Sequence, residues 1–336
     1  MKFFPHLVLF FSFITSIGEA VAVSCNLPNR GEEVLSVKSR GALGDGRTDD
    51  TQAIQAALDD MRGKNGTVIV PPGKYMIDAT RGLRVGSRTT VKLEKGAILK
   101  AFPNDKDAYS LLWVSNVTDV VITGGILDGE REEHQGTSGQ WGMGIRIGGS
   151  HDIIIHSVLA QNMWGDGFYI NNRSQNIRFC EVVADRNRRQ GLSIVSADGV
   201  EISHSTFKNT GGIGPESGID IEPNEGDSVR NVRISDSFFL DNKGHGIVAV
   251  VTSKLKKASI SDVIIERNVV RGNQKVGIGL YNTSKNIVTD NDTTGQKNKG
   301  ILLHRTASSN IVKGNRALKN GIIDNGKNDI TQNFLQ

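Results

Sequence analysis

Short apolar runs alternate with polar residues along most of this chain, and they return at nearly constant intervals. A glycine followed by apolar residues at alternating positions appears as GFYI at Gly167, GLSI at Gly191, GIDI at Gly218, GIVA at Gly246, GIGL at Gly277 and GILL at Gly300. The spacings are 24, 27, 28, 31 and 23 residues. A second run accompanies each coil, seen in HDIIIHSV, QNIRFCEVV, GVEISHSTF, RNVRISDSFF, SDVIIERNVV and SNIVKGNRAL. Period two means strand, and a repeat of this length cannot bury its apolar face without stacking on a neighbour. The pattern predicts an all-β solenoid with one coil per repeat, coils about 4.8 Å apart, and Ile, Leu and Val turned inward. Asparagines follow the second runs at Asn162, Asn187, Asn209, Asn242, Asn273 and Asn320, which predicts a hydrogen-bonded ladder at one turn.

Ahead of the coils the pattern changes once. Thr51 to Met61 carries Ile54, Ala57, Leu58 and Met61 at helical spacing, with Asp49 or Asp50 placed as N-cap. A short amphipathic helix here would lie over the open first coil and cover its unpaired backbone and core. The acids of GDGRTDD then serve as turn and cap residues.

Composition adds limits. Glycine is abundant, 39 residues against 7 prolines, as a chain of tight turns requires. Residues 1–22, MKFFPHLVLFFSFITSIGEAVA, have a basic start, an apolar run and small residues at Ala20 and Ala22, and read as a secretory signal peptide. One domain, 23–336, follows it, and the mature protein is expected to be secreted or periplasmic and monomeric. No later stretch approaches the ~20 apolar residues of a membrane span. The net charge of +4 and pI near 9.0 suit a polyanionic partner. No nucleic-acid-binding pattern is present. Two cysteines, Cys25 and Cys180, exclude a disulfide framework and leave one bridge open.

The block GALGDGRTDDTQAIQAALD followed by GTVIVPPGKY resembles the N-terminal signature of the pectate-lyase-like superfamily. These are single-stranded right-handed parallel β-helix proteins, among them polygalacturonases, rhamnogalacturonases, mannuronate epimerases and phage depolymerases. The resemblance covers roughly residues 35–336. It implies an extracellular polysaccharide as ligand, bound in a groove along one outer face.

Stacking the glycine-led strands aligns their outward positions: Arg146, then Tyr169 and Asn171, Ser193, Asp220 and Glu222, and further on Val248, Val250, Tyr281, Leu302 and His304. Charge on this face is expected in its middle. In SGIDIEPNEG, Asp220 and Glu222 fall two residues apart on one strand face, about 6.5 to 7 Å between Cα atoms. Strands disfavour Asp, and like charges side by side repel, so this pair is the best candidate site. The preceding turns add Trp164, Asp166, Arg188, Arg189, Glu216 and His245 at the edge of the face, with Trp164, Tyr169, Trp113 and Trp141 available for sugar stacking.

Three chemistries fit. β-Elimination on a uronate needs its carboxylate neutralised, by Arg146, Arg188, Arg189 or a Ca²⁺ held by Asp220 and Glu222, with Tyr169 or an arginine as base. Hydrolysis needs two carboxyl groups flanking the bond, and Asp220 and Glu222 suffice. GIDI and the later GHGI resemble pieces of the polygalacturonase pattern, which would make Asp220 the general acid and His245 its auxiliary, although no NTD or RIK segment accompanies them. Epimerisation shares the proton abstraction of elimination, and the DPH segment of mannuronate epimerases is absent. A non-catalytic carbohydrate-binding solenoid is the fourth reading. The expected activity is a lyase on an acidic, uronate-containing polysaccharide.

Overall fold

The computed structural model describes residues 25–335, so the signal peptide expected at 1–22 lies outside the described residues. The chain winds into a right-handed solenoid whose strands form three parallel sheets of twelve, nine and ten strands. Among the described residues one α-helix occurs, α1 (Thr51–Met61). Its Ile54, Ala57, Leu58 and Met61 are buried in the end of the core, as an amphipathic cap should be. The acids before it make turns. Asp50 accepts from the backbone N–H groups of Leu43 (2.6 Å) and Gly44 (2.9 Å), and Asp45 from those of Arg47 and Thr48.

The ten-stranded sheet carries the candidate site. Its strands are β1 (Leu83–Arg84), β2 (Ala108–Ser115), β3 (Trp141–Gly148), β4 (Phe168–Asn171), β5 (Leu192–Ile194), β6 (Ile219–Ile221), β7 (Ile247–Val250), β8 (Ile278–Tyr281), β9 (Ile301–Leu303) and β10 (Ile322–Asp324). The register is unbroken: Leu83, Leu112, Ile145, Phe168, Leu192, Ile219, Ile247, Ile278 and Ile301 align and are all buried. The leading glycines have a steric cause. A Cβ on Gly191 would stand 2.4 Å from the carbonyl oxygen of Gly218, one on Gly218 2.6 Å from that of Gly246, and one on Gly246 2.7 Å from that of Gly277. These coils thus approach one another too closely for a side chain at this position.

Asparagine ladders exist, but the sequence reading placed some members wrongly. Asn242 Nδ2 donates to Asn273 Oδ1 (2.8 Å), Asn273 donates to Gln296, and Asn320 continues the line; buried Asn187 holds the equivalent place earlier. Asn162 and Asn209 instead occupy the left-handed position one residue before the rung, at φ 54° and 56°, with side chains outside. Asn tolerates that conformation, so the same residue type serves two adjacent roles. Two more ladders run along other corners, Asn268–Asn291–Asn315 and Asn286–Asn310–Asn328.

Cys25 and Cys180 form a disulfide, with Cα atoms 5.8 Å apart. The segment that follows Cys25 is held by Arg30, which donates to Thr90, Asn65 and Asp119. Closing a loop of 155 residues constrains the unfolded chain by about 4 to 5 kcal/mol in the chain-entropy picture.

Candidate functional site

The outward row of the ten-stranded sheet reads, in register, Arg84, Trp113, Arg146, Tyr169, Ser193, Asp220, Val248, Gly279, Leu302. Charge is therefore not confined to the middle. It reaches the first strand, Gly82-Leu83-Arg84, which the sequence reading did not join to the series because Leu111 stands where β2 would have its leading glycine.

Asp220 is 1 % exposed, packed between the Ser193 and Val248 rungs. Gln190 fixes one of its oxygens: the Gln190 carbonyl accepts from the Ser217 N–H (2.8 Å), which aims the amide N–H at Asp220 Oδ2 (2.8 Å). Asp220 Oδ1 is buried with no hydrogen-bond partner. Burial first, and then the charge of Glu222, hold the Asp220 carboxyl well above the usual carboxylate range. It is built to keep a proton.

Glu222 follows β6 and is held from the opposite side. Arg189 Nη2 donates to Glu222 Oε1 at 2.5 Å, while Arg189 Nη1 donates to Asp166 (3.1 Å) and to Ser193 Oγ (3.0 Å). Ser193 Oγ donates in turn to Asp166 Oδ2 at 2.8 Å. Asp166 is fully buried, and burial pushes its carboxyl up to about 6 against the pull of Arg189. This network corrects two expectations. Asp166 is buried beneath the face with Arg189 and Ser193 as partners, and Arg189 is already paired with two carboxylates, so it is no free neutralising cation.

The remaining turn residues are structural as well. Trp164 has His134 stacked on one face (3.8 Å between centroids) and the Arg188 guanidinium on the other (3.6 Å), leaving no open face for a sugar. Arg188 also donates to the carbonyls of Gly139 and Trp164. Glu216 sits at φ 65° and accepts from the Gly212 N–H (2.7 Å), closing its own turn. Asn171 is 8 % exposed and lies over Gly148, where a Cβ would stand 2.7 Å from its Oδ1. Tyr169 is half-buried, with its hydroxyl raised by burial and its ring against Arg146. Trp141, 44 % exposed, is the tryptophan that offers an open surface.

His245, from the turn before β7, shares a groove pocket of about 570 Å³ with Asp220, Glu222, Lys275 and Tyr281. Burial, and after it the Lys275 charge, push the imidazole down to about 4. A hydrogen bond to the Val276 backbone opposes this in part. Nδ1 is buried and has no hydrogen-bond partner. The pocket is thus lined by a neutral imidazole and a protonated carboxyl, with Nδ1 of the one and Oδ1 of the other unpartnered.

The calcium expected on Asp220 and Glu222 fits these residues poorly. Calcium takes six to eight oxygen ligands. Here Gln190 directs an N–H at Asp220, and Arg189 already supplies the positive charge at Glu222.

The fold and this outward row define a β-solenoid whose outer groove gathers titratable side chains. The chain belongs to the right-handed β-helix family: the model described as "Right handed beta helix region" matches residues 79–224 and 143–317. Residues 34–90 match "Rhamnogalacturonase A/epimerase, pectate lyase-like". Among curated proteins the chain is 30% identical over 292 residues to the uncharacterized protein YclG of Bacillus subtilis, covering 76% of this chain and 48% of that one. It is 26% identical over 268 residues to mannuronan C5-epimerase AlgE3 of Azotobacter vinelandii, covering 74% of this chain and 14% of the relative. This chain therefore spans half or less of the length of both. Among solved structures, the A-module of Azotobacter vinelandii mannuronan C5-epimerase AlgE4 superposes with a TM-score of 0.68 at 20% identity, covering 90% and 97% of the two chains.

Sequence reading found Arg146, Asp220, Glu222 and His245 on one face. It missed Arg84, although Gly82-Leu83-Arg84-Val85 repeats the glycine-led motif and was the signal available, and Lys275, which looks like any charge in a polar turn. It placed Ser193 on the face without giving it a role. Ser193's position one rung from Asp220 was the signal available.

Proposed function

We propose that this protein is an exported enzyme that cleaves an acidic, uronate-containing polysaccharide by β-elimination at the pocket between Asp220 and His245. One observation carries the reading: an imidazole held neutral and a carboxyl held protonated, each with a buried polar atom that has no partner, belong to two residues lining the same pocket. Buried polar atoms without partners are rare in native proteins, and a pair of opposite proton-transfer character has a chemical use. In this reading Lys275 binds the uronate carboxylate, and His245 Nδ1 takes the proton on the carbon beside it. The electrons form a carbon–carbon double bond as the glycosidic C–O bond breaks, and Asp220 protonates the departing oxygen. His245 then returns its proton to Asp220 through solvent. The disulfide supports export, since such bonds persist in oxidising compartments, and among the described residues no helix is long and apolar enough to cross a membrane. The epimerase relative's name, with mannuronan as its substrate, supports a uronate polymer.

Hydrolysis is the second reading, favoured by the proximity of Glu222 to the protonated Asp220. Against it, Glu222 Oε1 is held by Arg189 and lies 3.2 Å from Ser193 Oγ, which leaves it less free than His245 to take a proton. Incubation with polymannuronate, polygalacturonate and neutral glucans separates the outcomes. Ultraviolet absorbance of unsaturated uronates together with new reducing ends means elimination. Reducing ends alone mean hydrolysis. Solvent deuterium at C-5 without cleavage means epimerisation, and no change on any polymer would sink the enzymatic reading.

A further inference from the structure

Three rungs at the N-terminal end of the groove form a stack that the acid–base pocket does not use. The Trp113 ring lies between two guanidinium groups, Arg84 at 5.6 Å from its centroid and Arg146 at 5.2 Å. Arg146 also lies 5.2 Å from the Tyr169 ring on its far side. Gly82 makes room for the indole, because a Cβ there would stand 2.5 Å from Trp113 Nε1. Both faces of Trp113 are taken by cations, so it does not stack on sugar.

Neither guanidinium meets a carboxylate among the described residues. Arg30, Arg189, Arg230 and Arg267 each do. Two cations on alternate rungs stand about 9.5 Å apart, two coils at ~4.8 Å each, within the roughly 10 Å over which exposed charges interact in dilute salt. This arrangement works against stability and leaves planar, rigidly held N–H forks facing outward, the geometry that recognises carboxylates.

We propose that Arg84 and Arg146 form a distal rail that binds acid groups on every second residue of an extended acidic polysaccharide, with Trp113 as the positioning residue between them. In a ribbon-like 1,4-linked uronate chain neighbouring carboxylates point to opposite sides, so those facing the sheet recur at alternate residues, as the arginines recur at alternate rungs. Arg84 is five rungs from Asp220, about 24 Å. A short oligomer that fills the acid–base pocket cannot reach it, and the rail makes the protein select long chains. The inference rests on the acidic-polymer reading of the groove but not on the reaction performed there.

The test is calorimetric binding of galacturonate and mannuronate trimers and octamers to the full chain, its Arg84→Gln, Arg84→Lys and Trp113→Leu variants, with a neutral glucan octamer as control. The wild type should bind at least one acidic octamer far more tightly than the trimer. Arg84→Gln should weaken octamer binding about tenfold, the equivalent of one charge-assisted hydrogen bond, without moving trimer affinity. Arg84→Lys should retain part of the loss, and Trp113→Leu should weaken the octamer as well. Octamer affinity equal in wild type and Arg84→Gln overturns the rail, as does failure of every acidic octamer to bind. Length- and Arg84-dependent binding without chain cleavage leaves the rail standing and removes the lyase reading. Cleavage with no dependence on Arg84 does the reverse.

Discussion

The two halves of the groove sheet share a backbone and differ in one row. Inward, Leu112, Ile145 and Phe168 in the first half correspond to Ile247, Ile278 and Ile301 in the second, all buried in one core. Outward, Arg84, Trp113, Arg146 and Tyr169 face Val248, Gly279 and Leu302 across the junction formed by Ser193 and Asp220. Parallel stacking demands the inward residues and leaves the outward ones free, so chemistry can be written on one half without disturbing the coil. The difference also gives the groove a direction, cationic on one side of the acid–base pocket and apolar on the other.

The largest effect should come from the junction. Asp220→Asn keeps an acceptor for Gln190 and removes the proton donor, so turnover should fall by about 10² to 10⁴. The melting temperature should hold, since a carboxyl that keeps its proton is replaced by a neutral amide of the same shape. Leu302→Ala, out on the apolar half, should leave turnover unchanged. If Asp220→Asn turns over normally, the two halves meet at no catalytic centre. The pH dependence sharpens this. His245 must be unprotonated, so kcat/KM should rise through about pH 4. It should fall again at higher pH as Asp220 loses its proton, giving a bell.

Next in size is a contrast between two arginines of the same face. Arg189 holds Asp166 and Glu222, and Arg189→Gln leaves those carboxylates buried and uncompensated, at a cost of about 3 to 5 kcal/mol. Arg146 has no acid to release, and Arg146→Gln should cost only about 1 kcal/mol, from its contacts with the Trp113 and Tyr169 rings. Urea unfolding followed by circular dichroism measures both. Equal losses would mean that Arg189 is not the keystone of the network.

That contrast shows where the sequence stopped being readable. Periodicity told strand from helix, put Ile219 and Ile221 inside and Asp220 outside, and located the helical cap, because all of these follow from local alternation. It could not tell Arg189 from Arg188 or Arg146, since whether a cation is paired depends on which residue the neighbouring coil brings within reach, some 23 to 33 positions away. Asp166 looked like a groove residue for the same reason. The disulfide was equally opaque: Cys180 ends an ordinary strand, and only the path of the chain after Cys25 brings the two together.

Asparagines make a smaller test of the shared scaffold. Asn242 is fully buried and bonds to Thr210, Phe207 and Asn273 in adjacent coils, so Asn242→Ala should cost about 1 to 3 kcal/mol and spare activity below the melting point. Asn209, exposed and outside the ladder, should cost far less. Comparable losses would mean that the exposed left-handed position matters as much as the rung.

The last effect concerns the turns that flank the cationic half. Glu130 is fully buried, accepts from the Tyr109 hydroxyl and from Asn104 Nδ2 (3.2 Å), and lies 3.1 Å from His134 Nδ1, the ring that backs Trp164. Burial outweighs the nearby Lys100 and pushes its carboxyl up to about 7. In the unfolded chain a glutamate titrates near ~4.3, so the folded state holds this proton more tightly. The stability it contributes is fully present below about pH 4 and is lost as pH rises through about 7. Glu130→Gln fixes the neutral form, still accepts from Tyr109, and should flatten that decline. Melting curves should nearly coincide at pH 5 and diverge at pH 8, with the variant ahead by a few degrees. Parallel curves across that range would show that Glu130 is ionised throughout in the folded protein. The Tyr109 and His134 contacts would then be holding a carboxylate, and the turns bordering the cationic half would carry one more negative charge than this account gives them.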